Sequence, residues 1–470
     1  MMNYIVIDQG TSSTKAFLFN ASGQILHQNR IKCSLEKPIP FHVQIDPLII
    51  LEDIKKLFIE MVHVSGNSTI TCAGLAIQRS TFLFWEKETC KPVTPAISWQ
   101  DCRASSISNS FQSYSKKLWT ITGTPLSAHF GGPKFLYMTQ NNKNLASKIE
   151  QGELYFGSLS AFLTHAITGT AAIDHSIACR TMLYNIQKGY WSKYALDLFQ
   201  VPITCLPPLT PTQHNYGNMF DSNILLSLVI GDQQAALIGQ GGLQNKSVAA
   251  NFGTSASVQY NVGKNAKKIE GLISSVLYSN KSTKTFMVEG TINGCNSLFY
   301  YLENLLGITH KKMQWNQRIK LEKTEGVFIP GFNGLAAPYW KNGFEDIRID
   351  LSERPNEIIR AAMESIGFLV NDILNCIIKA GLDLPETLTA SGGGAKSSLL
   401  QFTANITGKT ISHSLVKDKT AFGIYRILSS NNLDQISKEA TGDIFYPEKI
   451  PTLKGKTDKW KQGIKILERL

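Results

Sequence analysis

The chain has no C-x-x-C pair: its eight cysteines (Cys33, Cys72, Cys90, Cys102, Cys179, Cys205, Cys295, Cys376) stand singly. That excludes the common zinc modules, argues against a disulfide framework, and fits a reduced cytoplasmic protein. The nine histidines show no metal-ligand spacing either. No signal peptide is legible, because "MMNYIVID" lacks a basic leading region and meets Asp8 after a few apolar residues. No apolar run approaches the roughly 20 residues of a membrane span. The run "PLIILEDIKKLFIEMVHV" is broken by Glu52, Asp53, Lys55, Lys56 and Glu60, as an amphipathic helix would be. No membrane partner is expected. The net charge of +11 is diffuse, and its densest points, such as Lys264, Lys267 and Lys268, lack aromatic stacking ladders. No nucleic-acid partner is expected, only a general attraction for anionic substrates.

What the chain does have is length, 470 residues with 43% hydrophobic and 18% charged residues, which implies two folded domains. It also has an internal echo. "VIDQGTSSTKAFLF" (6–19) and "AANFGTSASVQYNV" (249–262) each read as strand, Asp8 or Asn251, Gly-Thr-Ser, strand. One echo at half-length spacing suggests two similar domains facing each other. "TCAGLAIQ" and "LLSLVIG" read as buried strands. "NEIIRAAMESIGFLVNDILNCIIKAG" has helical apolar spacing and a stop at Gly381. The mix predicts α/β domains opposed across a cleft, 1–245 and 246–470, with the boundary in "GGLQNKS".

Paired Gly-Thr-Ser turns suit a nucleotide. Glycine lets backbone approach a phosphate, and consecutive N–H groups and hydroxyls donate to its oxygens. A neighbouring acid can hold Mg²⁺, usually through waters. One such turn is ordinary loop chemistry. Two matching turns half a chain apart point to a phosphate clamp.

Further stretches extend the pattern: "IQRST" (77–81), "AISWQDCRA" (96–104), "CRTMLYNI" (179–186) and "GDQQAALIGQGG" (231–242), then "NFGTS" (251–255), "PGFNGLAAPYW" (330–340) and "SGGGAKSSLLQF" (391–402). From about residue 4 to 425 the chain resembles the FGGY carbohydrate kinases, nearest their glycerol kinase branch. The resemblance implies two actin-like, ribonuclease-H-like ATPase domains flanking a catalytic cleft. It also implies ATP-dependent phosphorylation of a sugar or polyol hydroxyl, with Mg²⁺. Asp232, expected at the end of a strand and the start of a helix, corresponds to the family's general base; the alternative from the residues alone is a helix N-cap. By the same carry-over Asp8, with Asp232, serves Mg²⁺ through water. Gly10, Thr11 and Ser12 form one phosphate turn and Gly253 and Thr254 the other, while Gly393 and Gly394 line the adenosine pocket. Lys15 stands two residues past Ser13, at the γ-phosphate or in solvent.

The acceptor site implied by the resemblance comprises Gln78, Arg79, Ser80, Trp99, His129, Asp232 and Gln233. Here the chain departs from glycerol kinases. Ser80 stands where they carry a Glu that binds glycerol hydroxyls, His129 where they carry Tyr, and Ser257 where they carry Phe. "SGGGAKS" is similar to the xylulose kinase branch, which however usually has Met-His at Arg79-Ser80. Sites built around one hydroxyl discriminate by about 10⁴–10⁵, so the expected acceptor is a different polyol or a pentulose. The alternatives are a true glycerol kinase or a non-catalytic nucleotide-dependent sugar sensor. The expected assembly is a homo-dimer or homo-tetramer.

Overall fold

Tyr4 to Ile7 is apolar without alternation, and both faces of this strand are buried: Ile5 and Ile7 enter one core, Tyr4 and Val6 another. That run is the centre of the first sheet in the computed structural model, which describes residues 2–244, 246–429 and 441–469. The two large sheets contain twelve strands. The first has β1 (Met2–Gln9), β2 (Ser13–Asn20), β3 (Ile25–Lys32), β4 (Thr69–Ile77) and β5 (Leu226–Gly231). The second has β6 (Val248–Phe252), β7 (Ala256–Gly263), β8 (Ile273–Ser279), β9 (Lys284–Ile292), β10 (Thr387–Ser391), β11 (Thr410–Ser414) and β12 (Thr441–Phe445).

The first sheet runs β5-β4-β1-β2-β3 and the second β8-β9-β7-β6-β10-β11-β12. In each, an antiparallel meander (β1-β2-β3; β6-β7-β9) is extended by two parallel strands (β4, β5; β10, β11). The sequence echo is therefore a duplicated topology, with Asp8 and Asn251 at equivalent ends of β1 and β6. The two turns differ by one residue: Gly10 N–H donates to Ser13 O, Gly253 N–H to Ser255 O. The predicted boundary at Asn245 falls on a residue outside those described.

Helices α1 (Pro47–Ser65), α3 (Asp232–Gly239), α5 (Pro355–Lys379), α6 (Ser397–Thr407) and α7 (Lys419–Ser429) pack on these sheets, while α2 (Gly131–Gln140) packs on a separate short strand, Leu154–Ser158, and α4 (Asn296–Leu305) on α5. A proline opens α1 and α5, where the missing N–H is not needed. Gly381, with φ of 74°, follows the end of α5 as predicted. By length and composition α5 is apolar enough to cross a membrane, which the sequence reading missed; most of its apolar stretch is buried in the second core. All eight cysteines are free thiols.

Helix α7, from the second half of the chain, packs on α3, β1 and β4 of the first. Tyr425 stacks on Phe19 and donates to the Ala21 carbonyl. The α3–α7 crossing is backbone on backbone. A Cβ at Gly423 would lie 1.9 Å from Ala235 O, and one at Gly239 would lie 2.0 Å from Lys419 O. Gly423→Val should therefore force the helices apart at a cost of about 1–3 kcal/mol. A lower denaturant midpoint would register this; an unchanged midpoint would show that the crossing yields freely.

Candidate active site

Strand β1 carries Asp8 near its carboxyl end, in the middle of the first sheet, between Lys15 on β2 and Ala76 on β4. Burial, then the Asp232 carboxylate, raises the Asp8 carboxyl to about 7, against the pull of Lys15. Lys15 does not point freely into solvent: its Nζ lies 2.6 Å from Asp418 Oδ1, at the head of α7. Beyond Asp8 the turn is held from several sides. Thr11 Oγ1 donates to Gln78 Oε1 at 3.3 Å and accepts from Trp99 Nε1 at 2.9 Å. Ser12 is exposed at the tip and Gly10 is half-buried.

Asp232 is the first residue of α3, directly after β5. The N-cap position belongs to Gly231, so Asp232 is not a simple cap; its Oδ1 accepts from the adjacent Gln233 N–H at 2.7 Å. A side chain at position 231 would put its Cβ 2.5 Å from Gln234 Oε1 and 3.0 Å from Arg79 Cδ. Arg79 Nε lies 3.6 Å from Asp232 Oδ1. The same guanidinium grips Glu289 of β9 with two bonds, 2.9 and 3.1 Å, and Arg180 Nη2 reaches Glu289 at 2.9 Å. Two acids and two guanidiniums thus form one cluster joining the two sheets, with Glu289 and Arg180 buried and Arg79 and Asp232 partly exposed. Burial acts to raise the Glu289 carboxyl, but Arg79 and Arg180 overcome it and hold it at about 2. Burial raises the Asp232 carboxyl, with Arg79 opposing. A carboxylate with raised proton affinity and a partly exposed side chain has the chemistry of a general base.

The residues expected on the acceptor side are tied to one another beside Arg79. Ser80, buried, sits at φ of 61°, in the left-handed region rare for non-glycine residues. Its carbonyl accepts from Lys134 Nζ at 3.1 Å, as do those of Ser98 at 2.7 Å and His129 at 2.9 Å. Burial pushes the Lys134 ammonium down to about 7, against Asp101, while the three carbonyls favour its charged form. His129 Nδ1 meets the Trp99 carbonyl, and burial lowers the ring's proton affinity. Trp99 remains 40% exposed, open to a ligand. From the opposite side Gln259 of β7 donates to Gln233 Oε1 at 3.4 Å.

The second turn is joined to α4 and to the glycine-rich loop. Gly253 O accepts from Asn296 N–H, Thr254 O from Cys295 and Ser297 N–H, and Phe252 O from Gly394 N–H. Gly392 takes φ of 101°, and a Cβ there would lie 2.3 Å from Phe252 O; Gly393 faces open space. Thr254 is exposed.

Two groups result: Asp8, Thr11, Gln78, Arg79, Ser80, Trp99, His129, Asp232 and Gln233 in one, and Gly253, Thr254, Gly393 and Gly394 in the other. Gln233–Gln259 and Arg79–Glu289 link the first group to the second sheet. Sequence reasoning did not single out Lys134, Arg180, Glu289 or Asp418. Glu289 carried a signal, a lone charge inside the apolar strand "TFMVEGTI", which demands a buried partner. Among the described residues no cluster of three or more His, Cys, Asp or Glu side chains is placed to hold a metal.

Residues 3–239 match the N-terminal domain model of the FGGY family of carbohydrate kinases, and residues 248–428 the C-terminal domain model. Glycerol kinase 1 of Thermotoga maritima is 30% identical over 439 residues, covering 90% of this chain and 89% of its own length. Glycerol kinase of Caldanaerobacter subterraneus subsp. tengcongensis is 31% identical over 441 residues, 90% and 88% of the two chains. Glycerol kinase of Plasmodium falciparum, solved with ADP, superposes with a TM-score of 0.91 at 25% identity, covering 99% of this chain and 98% of that one. A ligand-bound xylulose kinase from Lactobacillus acidophilus, at 18% identity, shares the fold with a TM-score of 0.86 over 100% and 97% of the chains.

Proposed function

The chain belongs to the FGGY family of carbohydrate kinases, an α/β two-domain kinase fold that transfers a phosphoryl group from ATP to a small sugar or polyol, and on that premise we propose how its residues divide the work. Asp232 orients the acceptor hydroxyl and takes its proton as the bond from that oxygen to the γ-phosphorus forms and the bond to the bridging oxygen breaks, releasing ADP. Phosphoryl transfer needs little covalent help beyond an oriented nucleophile and neutralised phosphate charge. Residues 1–245 and 246–470 act as two jaws: Gly10, Thr11 and Ser12 meet the phosphates from one side, Gly253 and Thr254 from the other. Gly393 and Gly394 leave room for the adenosine. Lys15, paired with Asp418, adds charge at the γ-phosphate if it exchanges that partner. The observation that supports this reading is the place of Asp232, which accepts from its neighbour's N–H, lies 3.6 Å from Arg79 Nε and raises the proton affinity of Asp8.

Asp8 and Asp232 fit a Mg²⁺ ion, since each of two neighbouring carboxylates has its charged form disfavoured and a divalent cation would relieve both. That ion, which prefers oxygen ligands and keeps several waters, would neutralise charge on the phosphates.

For the acceptor we favour a polyol or pentulose other than glycerol, bound by Gln78, Arg79, Ser80, Trp99, His129 and Gln233. The short, buried Ser80 has its carbonyl engaged by Lys134 and offers no carboxylate to a three-carbon ligand. Glycerol is the second reading, supported by relatives named glycerol kinase at 30–31% identity. An ADP-release assay across glycerol, C4–C6 polyols and pentuloses separates them. Turnover greatest on one of the longer acceptors is expected; efficient turnover on glycerol alone would overturn the altered-pocket reading.

A further inference from the structure

We infer that Lys134 is a positioning residue of the acceptor pocket, its buried ammonium fixing three separate pocket segments through their backbone carbonyls. The inference rests on the reading that the pocket beside Asp232 receives the acceptor. Lys134 lies on α2 with no exposed surface. Its three N–H donors, all that an ammonium has, go to the carbonyls of Ser80, Ser98 and His129. Ser80 and His129 are themselves acceptor-side residues, and Ser98 precedes Trp99. One charge therefore sets the relative position of the three loops that form this side of the pocket.

The cation has no carboxylate of its own. The acid that acts on it, Asp101, is committed to Arg103 at 2.8 Å and to the Val43 N–H at 2.6 Å. The Phe82 ring lies 5.6 Å away. A buried ammonium whose hydrogen bonds all go to carbonyls is costly to fold around, so packing alone does not account for it. The bond to Ser80 also has a local purpose: it fixes the carbonyl of a non-glycine residue held at φ of 61°, a conformation that persists only where its surroundings over-determine it. Next to Ser80 is Arg79, which meets Asp232; next to Ser98 is Trp99, which meets Thr11 on the phosphate turn. A shift of the Lys134 node is thus passed to Arg79, beside the base, and to the Trp99 side of the acceptor pocket.

Methionine fills similar volume but donates nothing, and arginine's planar fork cannot reproduce three converging bonds. Lys134→Met is expected to lower kcat/KM for the acceptor by about 10²-fold, the scale of a misplaced substrate, with KM for ATP essentially unchanged. Lys134→Gln should fall between it and wild type, and Lys134→Arg should not rescue. Equal loss on both substrates, no loss, or failure of all three variants to fold would make Lys134 a stability residue and overturn the inference. A wild-type enzyme inactive on every acceptor would sink the functional reading alone. The crystal structure of Lys134→Met would then still decide: the inference predicts that the Ser80, Ser98 and His129 carbonyls lose their common focus, and is overturned if they keep it.

Discussion

Asp232→Asn is expected to lower kcat by about 10²–10⁴-fold, the range a positioned general base contributes, while nucleotide affinity stays near wild type. The substitution conserves shape. Asn Oδ1 can still accept from the Gln233 N–H as Asp232 does at 2.7 Å, so α3 keeps its first turn and the helix still follows β5. What disappears is the carboxylate that takes the acceptor's proton, together with the negative charge facing Arg79 Nε at 3.6 Å. The nucleotide contacts proposed for Gly253, Thr254, Gly393 and Gly394 are made by residues of the other sheet's turns. Calorimetric titration with a non-hydrolysable ATP analogue and steady-state ADP release together check the claim. Undiminished turnover in Asp232→Asn would remove Asp232 as the base.

Glu289→Ala should destabilise the protein by about 3–5 kcal/mol, as breaking a buried ion pair does by leaving charge without its partner. The Glu289 side chain is 3% exposed and is shared by Arg79 and Arg180. Without it two guanidiniums, 12% and 3% exposed, face each other and only Asp232 is left to balance them. Glu289→Gln should cost less, because the amide oxygen still accepts one bond. It should also draw Arg79 towards Asp232, strengthening that pair and weakening the base. Chemical denaturation reads the first effect and kcat of the Gln variant the second. A loss under about 1 kcal/mol in Glu289→Ala would mean that water or a rearranged Asp232 fills the acid's place.

How much of this was legible depended on whether the signal was local. The two Gly-Thr-Ser turns were, because a turn's chemistry lies within a few consecutive residues, and so was the pair of matching hairpins built on them. The strand-to-helix junction at Asp232 was legible for the same reason: an apolar run stops at Gly231 and a helix-compatible run begins. Contacts between distant segments were not. Lys134 lies in the quoted "LSAHFGGPK", yet nothing local says that its ammonium reaches Ser80 and Ser98. Arg79 and Glu289 meet only because the first sheet's β4 and the second sheet's β9 approach one another. The return of α7 to the first half, which places Asp418 on Lys15 and Gly423 on Ala235, follows from packing that no local pattern encodes. The positive φ of Ser80 was likewise invisible, since serine shows no preference for that region.

The central claim is that the acceptor hydroxyl meets Asp232 while the two turns hold the triphosphate. The most direct measurement is a crystal structure of the enzyme with its best acceptor, a non-hydrolysable ATP analogue and Mg²⁺. The account predicts one acceptor hydroxyl about 2.6–3.2 Å from the Asp232 carboxylate, with the phosphates between Gly10–Ser12 and Gly253–Thr254 and the adenosine against Gly393 and Gly394. An acceptor bound with no hydroxyl near Asp232, or a triphosphate lying outside the two turns, would contradict it.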